Sequence, residues 1–309
     1  MRKYFLLLLI LPLFLYAQSF SNFISPKQKL YADLGAEQAA PLKKMTDSNW
    51  WTNETLTVEG YGVVPRNYKG IGDGRIIAKR TAMIDGYRNL AKAAGKIQIT
   101  ASETLTEQKI EALITGANVL AETYDADGNC TVVLSVPIYG VTNSFAKVAF
   151  EPVEKENFPA PRSNVAARGN YTGLIVDCGD LELNPVLSPV VRDTLNQSVY
   201  SYKNLDFDKV IAKGMIGYVE KNPGDLPRNE AEPLLLLSSK TLLVNTDTNL
   251  SRAGANPLII KAASINDDNS CPIISQDDTD RILAENLRTH FLDEGAVVFT
   301  SNRIRGMRM

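Results

Sequence analysis

The chain has 309 residues, 44% hydrophobic and 22% charged, and 33 Lys plus Arg against 35 Asp plus Glu give it a net charge of −2. Such a composition can bury a core, and the length favours two domains. It lacks the basic excess of a general nucleic-acid binder, and one histidine with three cysteines argues against a zinc cluster of ordinary spacing.

Arg2-Lys3, the apolar run Tyr4 to Tyr16 and the small residue Ala17 form a secretory signal over residues 1–17, with cleavage expected after Ala17. The run falls short of the roughly 20 apolar residues that span a bilayer. An exported, periplasmic protein is expected, and no cysteine near the cleavage point encodes a lipid anchor. Residues 18–50 lack a sustained period and form an N-terminal arm. Trp50-Trp51 either packs that arm onto the first domain or, if exposed, anchors a partner.

The fold expected is α+β, with two small domains that each combine a mixed sheet with helix. The first, residues 51–150, is a β-α-β-β unit with one main helix on a sheet. "LTVEGYGVVP" reads as a strand in which Gly60 and Gly62 mark close backbone approach or a bulge. A helix is expected over Gly74 to Ala94, with Asp73 capping its first amides and Gly95 ending it in a left-handed turn. Its apolar stripe is Ile77, Thr81, Ile84 and Ala91, flanked by Met83, Tyr87, Leu90 and Ala94, and the small residues Ala78, Ala82 and Gly86 let it lie close to the sheet. "KIQITASETLT" alternates as a half-buried strand, Ile110 to Ile114 suits a helical turn, and the Asp127-Gly128 step predicts a hairpin between two later strands. A short helix through Phe145 and Val148 closes the unit.

Residues 151–169 hold three prolines and no apolar period and read as a linker. The second domain, 170–301, is expected to hold the strands "YTGLIVDC", "PVLSPVVRD", "SVYSY", "PLIIKAASI", "CPIIS" and "AVVFT". "FDKVIAKGMIGYV" reads as a short helix breaking at Gly214. A helix over Thr279 to Leu292 starts at a capping-box-like Ser275-Gln276-Asp277-Asp278 and turns Ile282, Leu283, Asn286, Leu287 and Phe291 toward one face. Residues 302–309 are a C-terminal tail. Of the odd set Cys130, Cys178 and Cys271, the last two share a domain and are the preferred candidates for a disulfide. Three buried thiols are an equal alternative.

Catalytic templates fail one after another. "GIGDGRI" lacks the Gly-Lys-Ser/Thr ending of a P-loop, and the glycine spacing misses the dinucleotide fingerprint. His290 is the only histidine and falls at the end of the last helix, where the helix dipole favours a cation. Asp267-Asp268 and Asp277-Asp278 sit at turn and cap positions. "DADGN" would need an acid where Val136 stands to be a calcium loop. No catalytic residue, cofactor or metal site is assigned.

"VEGYG", the helix with Ala78, Arg80, Ala82 and Arg88-Asn89-Leu90-Ala91, and the "ADGN" hairpin together resemble, over residues 55 to 150, the N-terminal domain of secreted flagellar and envelope proteins of the FlgT, FlgP and FlgQ type. Thr81 and Gly86 stand where that family favours alanine. The second domain is similar to the C-terminal part of longer exported members, and a FlgQ-like basal disc protein fits best. The resemblance implies a non-enzymatic subunit of a periplasmic flagellar ring or disc, at the inner face of the outer membrane and needed for motility. It implies homo-oligomers, or hetero-oligomers with a FlgP-like lipoprotein and other flagellar motor proteins, with no nucleic acid and only indirect contact with the outer membrane. The residues singled out are structural: Gly60, Gly62, Ala78, Ala82, Arg88, Asn89 and Leu90 from the resembling motifs, with Asp73 as the helix cap. A general cell-envelope structural or adaptor protein is the alternative, and an exported enzyme or ligand-binding protein is a third reading.

Overall fold

A computed structural model of the chain describes residues 50–68, 72–221 and 250–305. The expected signal sequence, the arm up to residue 49, Gly70 with Ile71, and residues 306–309 of the expected tail lie outside the described residues.

The chain is α+β. A short helix α1 (Trp50–Asn53) leads into β1 (Thr55–Gly62) and then α2 (Gly72–Ala94). A small hairpin follows, β2 (Gln98–Thr100) and β3 (Glu103–Thr104), and then α3 (Glu107–Thr115), β4 (Asn118–Tyr124), β5 (Cys130–Pro137) and α4 (Phe145–Ala149). After an extended stretch come β6 (Gly173–Asp177), β7 (Glu182–Leu183), β8 (Val191–Asp193), β9 (Ser198–Tyr200), α5 (Phe207–Lys213) and β10 (Gly217–Glu220). The last elements are β11 (Pro257–Lys261), β12 (Ser264–Ile265), β13 (Pro272–Ile274), α6 (Gln276–Thr289), β14 (Val297–Ser301) and β15 (Arg303–Ile304). The larger sheets have strand orders β1-β5-β4, β10-β14-β6-β11 and β12-β13-β8-β9.

The β10-β14-β6-β11 sheet is parallel throughout, with Leu174 opposite Val297 and Leu258, and Gly217 opposite Val298. Its central strands explain that choice: Gly173 to Val176 and all of Val297–Ser301 are buried, the burial of strands covered on both faces. The short helix breaks at Gly214 as expected, and β10 is a strand beyond that break that the sequence did not announce. Gly214 stops α5 at φ 74°, with its N–H on the Val210 carbonyl, and the β-favouring Tyr218-Val219 then joins the sheet edge. "KIQITASETLT" likewise breaks into the two short strands β2 and β3 instead of one. Arg303–Ile304, expected as tail, pairs with β7.

Both long helices differ from their expected limits. Ser275 caps α6, its hydroxyl accepting the Asp278 N–H at 3.1 Å, so the helix begins at Gln276. It ends at His290, which takes the left-handed conformation. Leu287, expected on the buried face, is 69% exposed. α2 starts at Gly72, which places Asp73 inside the first turn, where its carboxylate faces the positive end of the helix dipole, instead of at the cap. Gly95 follows without a left-handed turn. Trp50 and Trp51 are buried, edge to face at 5.9 Å.

By contacts the chain falls into two units. Of the described residues, one takes Val58–Asn89 and Asn118–Leu134, and the other takes Leu90–Ala117 and those from Ser135 on, together with the residues before Val58 that surround α1. The Pro-containing segment 151–169 therefore lies wholly within the second unit. It has no regular element, but it is tied down along α6. Asp280 accepts the N–H groups of Arg162 (2.7 Å) and Ser163 (3.1 Å), and Glu285 accepts those of Arg168 (2.8 Å) and Gly169 (3.1 Å). Absence of apolar period here marks an extended strap, whose backbone donors are met by two buried carboxylates of the helix it crosses.

Candidate functional site

The residues that the sequence singles out in the first domain converge on the packing of α2 against β1. Gly74, Ala78, Ala82, Gly86, Leu90 and Ala94 recur every fourth residue, and all are buried. This column, small at every position except Leu90, and not the Ile77-Ile84 stripe, is the inner face of α2; Ile84 is 53% exposed. Against it lie the two glycines of β1. A Cβ on Gly60 would sit 2.2 Å from the Ala82 carbonyl oxygen and 2.3 Å from the Gly86 nitrogen, and one on Gly62 would sit 1.9 Å from the Ala78 carbonyl oxygen. Strand and helix backbones are in direct contact, and only glycine on one side with alanine or glycine on the other permits it.

Asn89 performs a second task. β1 is an edge of its sheet, and Glu59 and Tyr61, two residues apart, turn their backbone groups to the same side of the strand. Asn89 donates its amide to the Glu59 carbonyl at 2.9 Å, and Asp85, one turn earlier, accepts the Tyr61 N–H at 3.1 Å. The two side chains also meet each other at 3.3 Å. Helix side chains thus occupy hydrogen-bonding groups that an edge strand would otherwise offer to another chain. Arg88 points to solvent beside Asp85 at 3.8 Å. The sequence reading missed Asp85; its signal was an Asp and an Asn four residues apart on a helix that packs over an edge strand.

The "ADGN" hairpin is tied by its own side chains and to Val64. Asp125 accepts the N–H groups of Asp127 and Asn129 at 2.9 Å and the Asn129 amide at 2.8 Å. The Asn129 side-chain hydrogen bond, which outweighs desolvation, together with these backbone bonds holds the Asp125 carboxyl below its ordinary range. Gly128 supplies φ 82°, and Asn129 accepts the Val64 N–H at 2.9 Å. On β4, Glu122 pairs with Lys79 of α2 at 2.6 Å and accepts the Tyr124 hydroxyl at 2.7 Å, while the Arg75 guanidinium lies 5.6 Å from the Tyr124 ring centre. Burial, with the Glu122 charge, pushes the Cys130 thiol up to about 11. Val119 and Leu120 of β4 are exposed, and among the described residues no strand pairs with the edge of β4 away from β5.

In the second unit the C-terminal ends of the parallel strands, where open α/β sheets hold ligands, are laced together by the chain itself. Asp177 at the end of β6 accepts Lys221 Nζ at 2.8 Å, the Gly179 N–H at 2.9 Å and the Thr300 hydroxyl at 3.2 Å. Ser301 donates to the Leu181 carbonyl at 2.6 Å. Burial pushes the Asp177 carboxyl up, but the Lys221 hydrogen bond and the other donors outweigh it and hold the group below its ordinary value. A carboxyl with a depressed folded-state pKa stabilises above its unfolded value, near 3.9, and loses that contribution as pH falls through the folded value. Thermal melts are therefore expected to show a smaller difference between Asp177→Asn and the unsubstituted chain at pH 3 than at pH 7.

The three cysteines are free thiols, and the expected Cys178–Cys271 bond is not formed. Cys178 is 2% exposed and is held after β6 by the Thr300 carbonyl. Cys271 is fixed in the β12–β13 turn by the Asn266 side chain. Burial, with the Asp177 charge, pushes the Cys178 thiol up to about 12, so it stays protonated and unreactive at neutral pH.

Fold and site together define an α+β protein in which one helix covers and seals a small sheet and a second unit is built on a four-stranded parallel sheet. Residues 173–303, from the first residue of β6 into β15, match the family described as Treponema pallidum Tp0624, second domain. The match spans the whole parallel sheet and α6. No curated protein matches the chain. Among the described residues, no helix is long and apolar enough to cross a membrane.

Proposed function

We propose that the protein is a non-enzymatic structural subunit of a periplasmic flagellar ring or disc on the outer-membrane side of the motor, as the FlgQ-like resemblance implies. What carries this reading is the use to which the resembling residues are put. Gly60 and Gly62 fit against Ala78, Ala82 and Gly86, Asn89 closes a strand edge, and the hairpin motif binds itself. These contacts build a rigid small domain, and the polar groups involved are spent on the chain's own backbone instead of lining a cleft. The exposed apolar residues Val63, Ile76, Ile84, Val119 and Leu120 on the same unit suit contact with other subunits. Its partners on this reading are further copies, a FlgP-like lipoprotein and other motor proteins.

The second reading, a general envelope scaffold outside the flagellum, accommodates the family match over residues 173–303, whose description names a Treponema pallidum domain. Deleting the gene separates the two. The flagellar reading expects non-motile cells whose motors, in tomograms, lack density at the outer-membrane side; motile cells with intact motors would leave the envelope reading standing.

A further inference from the structure

We propose that the outer face of α2 docks on a lipid bilayer whose headgroups carry anionic phosphates. Such direct contact goes beyond the indirect one that the resemblance implies, and it does not depend on whether the protein serves the flagellum.

Two columns run along α2 in steps of four residues. Gly74, Ala78, Ala82, Gly86, Leu90 and Ala94 are buried, whereas Ile76, Arg80, Ile84, Arg88 and Lys92 are all exposed. The columns are two residues out of step, about 200° around the helix, so the second stays opposite the first along its whole length. Ala78 and Ala82 of the first column meet β1, and Gly86 meets Val132 and Leu134 of β5. The second column is therefore a convex ridge, about 24 Å long, that points away from the sheet. Its order is apolar, basic, apolar, basic, basic.

Charge selects what this ridge can meet. The chain as a whole has a net charge of −2. The exposed charged residues of α2 are instead Arg75, Arg80, Arg88 and Lys92 against the single acid Asp73. Among the described residues no carboxylate pairs with Arg80 or Lys92. Arg88 lies 3.8 Å from Asp85, whose carboxylate already serves the Tyr61 N–H and Asn89. An anionic partner is complementary to this face.

Ile76 and Ile84, each 53% exposed, decide between anionic partners. On a nucleic acid they would lie against phosphate, and the ridge has no aromatic to stack on a base. An acidic protein would have to alternate acid and apolar groups at the same one-turn step. A bilayer offers phosphate beside hydrocarbon at every point, so the basic groups meet headgroups while the isoleucines between them reach toward the acyl chains, with no register to satisfy. Val63, Val119 and Leu120 remain for contact with other subunits.

The test uses the chain from Gln18 on, the exported form expected after cleavage, because the apolar run Tyr4 to Tyr16 would itself bind lipid. It should float with vesicles that mix phosphatidylglycerol into phosphatidylcholine, stay behind with phosphatidylcholine alone, and be released by salt. Arg80→Gln combined with Arg88→Gln should weaken the partition about 25-fold, at roughly fivefold per basic residue. Ile84→Ser should weaken it about fivefold, a loss that attraction between charges alone would not produce. Lys261→Gln, at an exposed position on β11, should change nothing. Equal melting temperatures show that all the variants fold. Equal flotation with neutral vesicles, no flotation at millimolar lipid, or undiminished flotation of the arginine variant overturns the proposal. Capture by a polyglutamate resin at a salt concentration that abolishes vesicle binding overturns it in favour of an acidic protein partner. Motility plays no part in this readout, so failure here leaves the flagellar reading to its own experiment.

Discussion

Gly62→Ala is expected to destabilise the protein by about 3 kcal/mol, the upper part of the range for overpacking a close-packed interior. The added methyl would lie 1.9 Å from the Ala78 carbonyl oxygen and 2.5 Å from the Ala82 nitrogen. Both are helix backbone atoms, so no side chain can turn aside and α2 must lift from β1 as a body. Gly60→Ala meets the Ala82 carbonyl at 2.2 Å and should behave alike. Two internal controls make the result specific. In Gly86→Ala the new methyl meets the Leu134 side chain at 2.9 Å, which can shift, so a smaller loss is expected. Gly72→Ala has nothing within 4 Å and sits in a helix, so it should be neutral or slightly stabilising. Urea melts of the four variants check this order, and equal effects at all four positions would mean that backbone contact is not what the glycines serve.

Glu285→Ala should be the second large effect, also about 3 kcal/mol, because hydrogen bonds to a charged group contribute about 1.5–3 kcal/mol each and two are lost. Glu285 is 3% exposed and holds the Arg168 and Gly169 N–H groups at 2.8 and 3.1 Å. Without it those donors are left unpaired and the strap loses its second anchor. Trypsin cleavage after Arg168 should then outpace cleavage in the unsubstituted chain under native conditions, and the melting temperature should fall by about 10 °C. Glu285→Gln keeps one acceptor oxygen and should lose about half as much. Unchanged proteolysis in Glu285→Ala would show that the strap is held by Asp280 and by Arg162, which lies 3.5 Å from the buried Asp193 carboxylate.

Most regular elements of the first unit were legible because local chemistry sets them. The period-two pattern of β1 and the turn residues of the 125–129 hairpin act within a few residues of themselves. The inner face of α2 was half legible. Its small residues were recognised, but isoleucines were assigned to the core on hydrophobicity, whereas the glycines of β1 leave room only for alanine and glycine and turn Ile84 outward. Asp85 was illegible because its partner, the Tyr61 N–H, is fixed by the strand order, which no local pattern records. β10 was hidden for a similar reason: Gly217–Glu220 is a strand only because β14 lies beside it. The strap was illegible in another way: its sequence has no period, and its backbone is placed by two distant carboxylates, Asp280 and Glu285.

The clasp of Asp85 and Asn89 on β1 limits how many neighbours the sheet can recruit. A sheet open at both edges has a strand-pairing valency of two and grows without end into a ribbon; one edge closed reduces that valency to one, and growth stops after a single partner. Within the β1-β5-β4 sheet, the clasp therefore turns strand addition toward the β4 side.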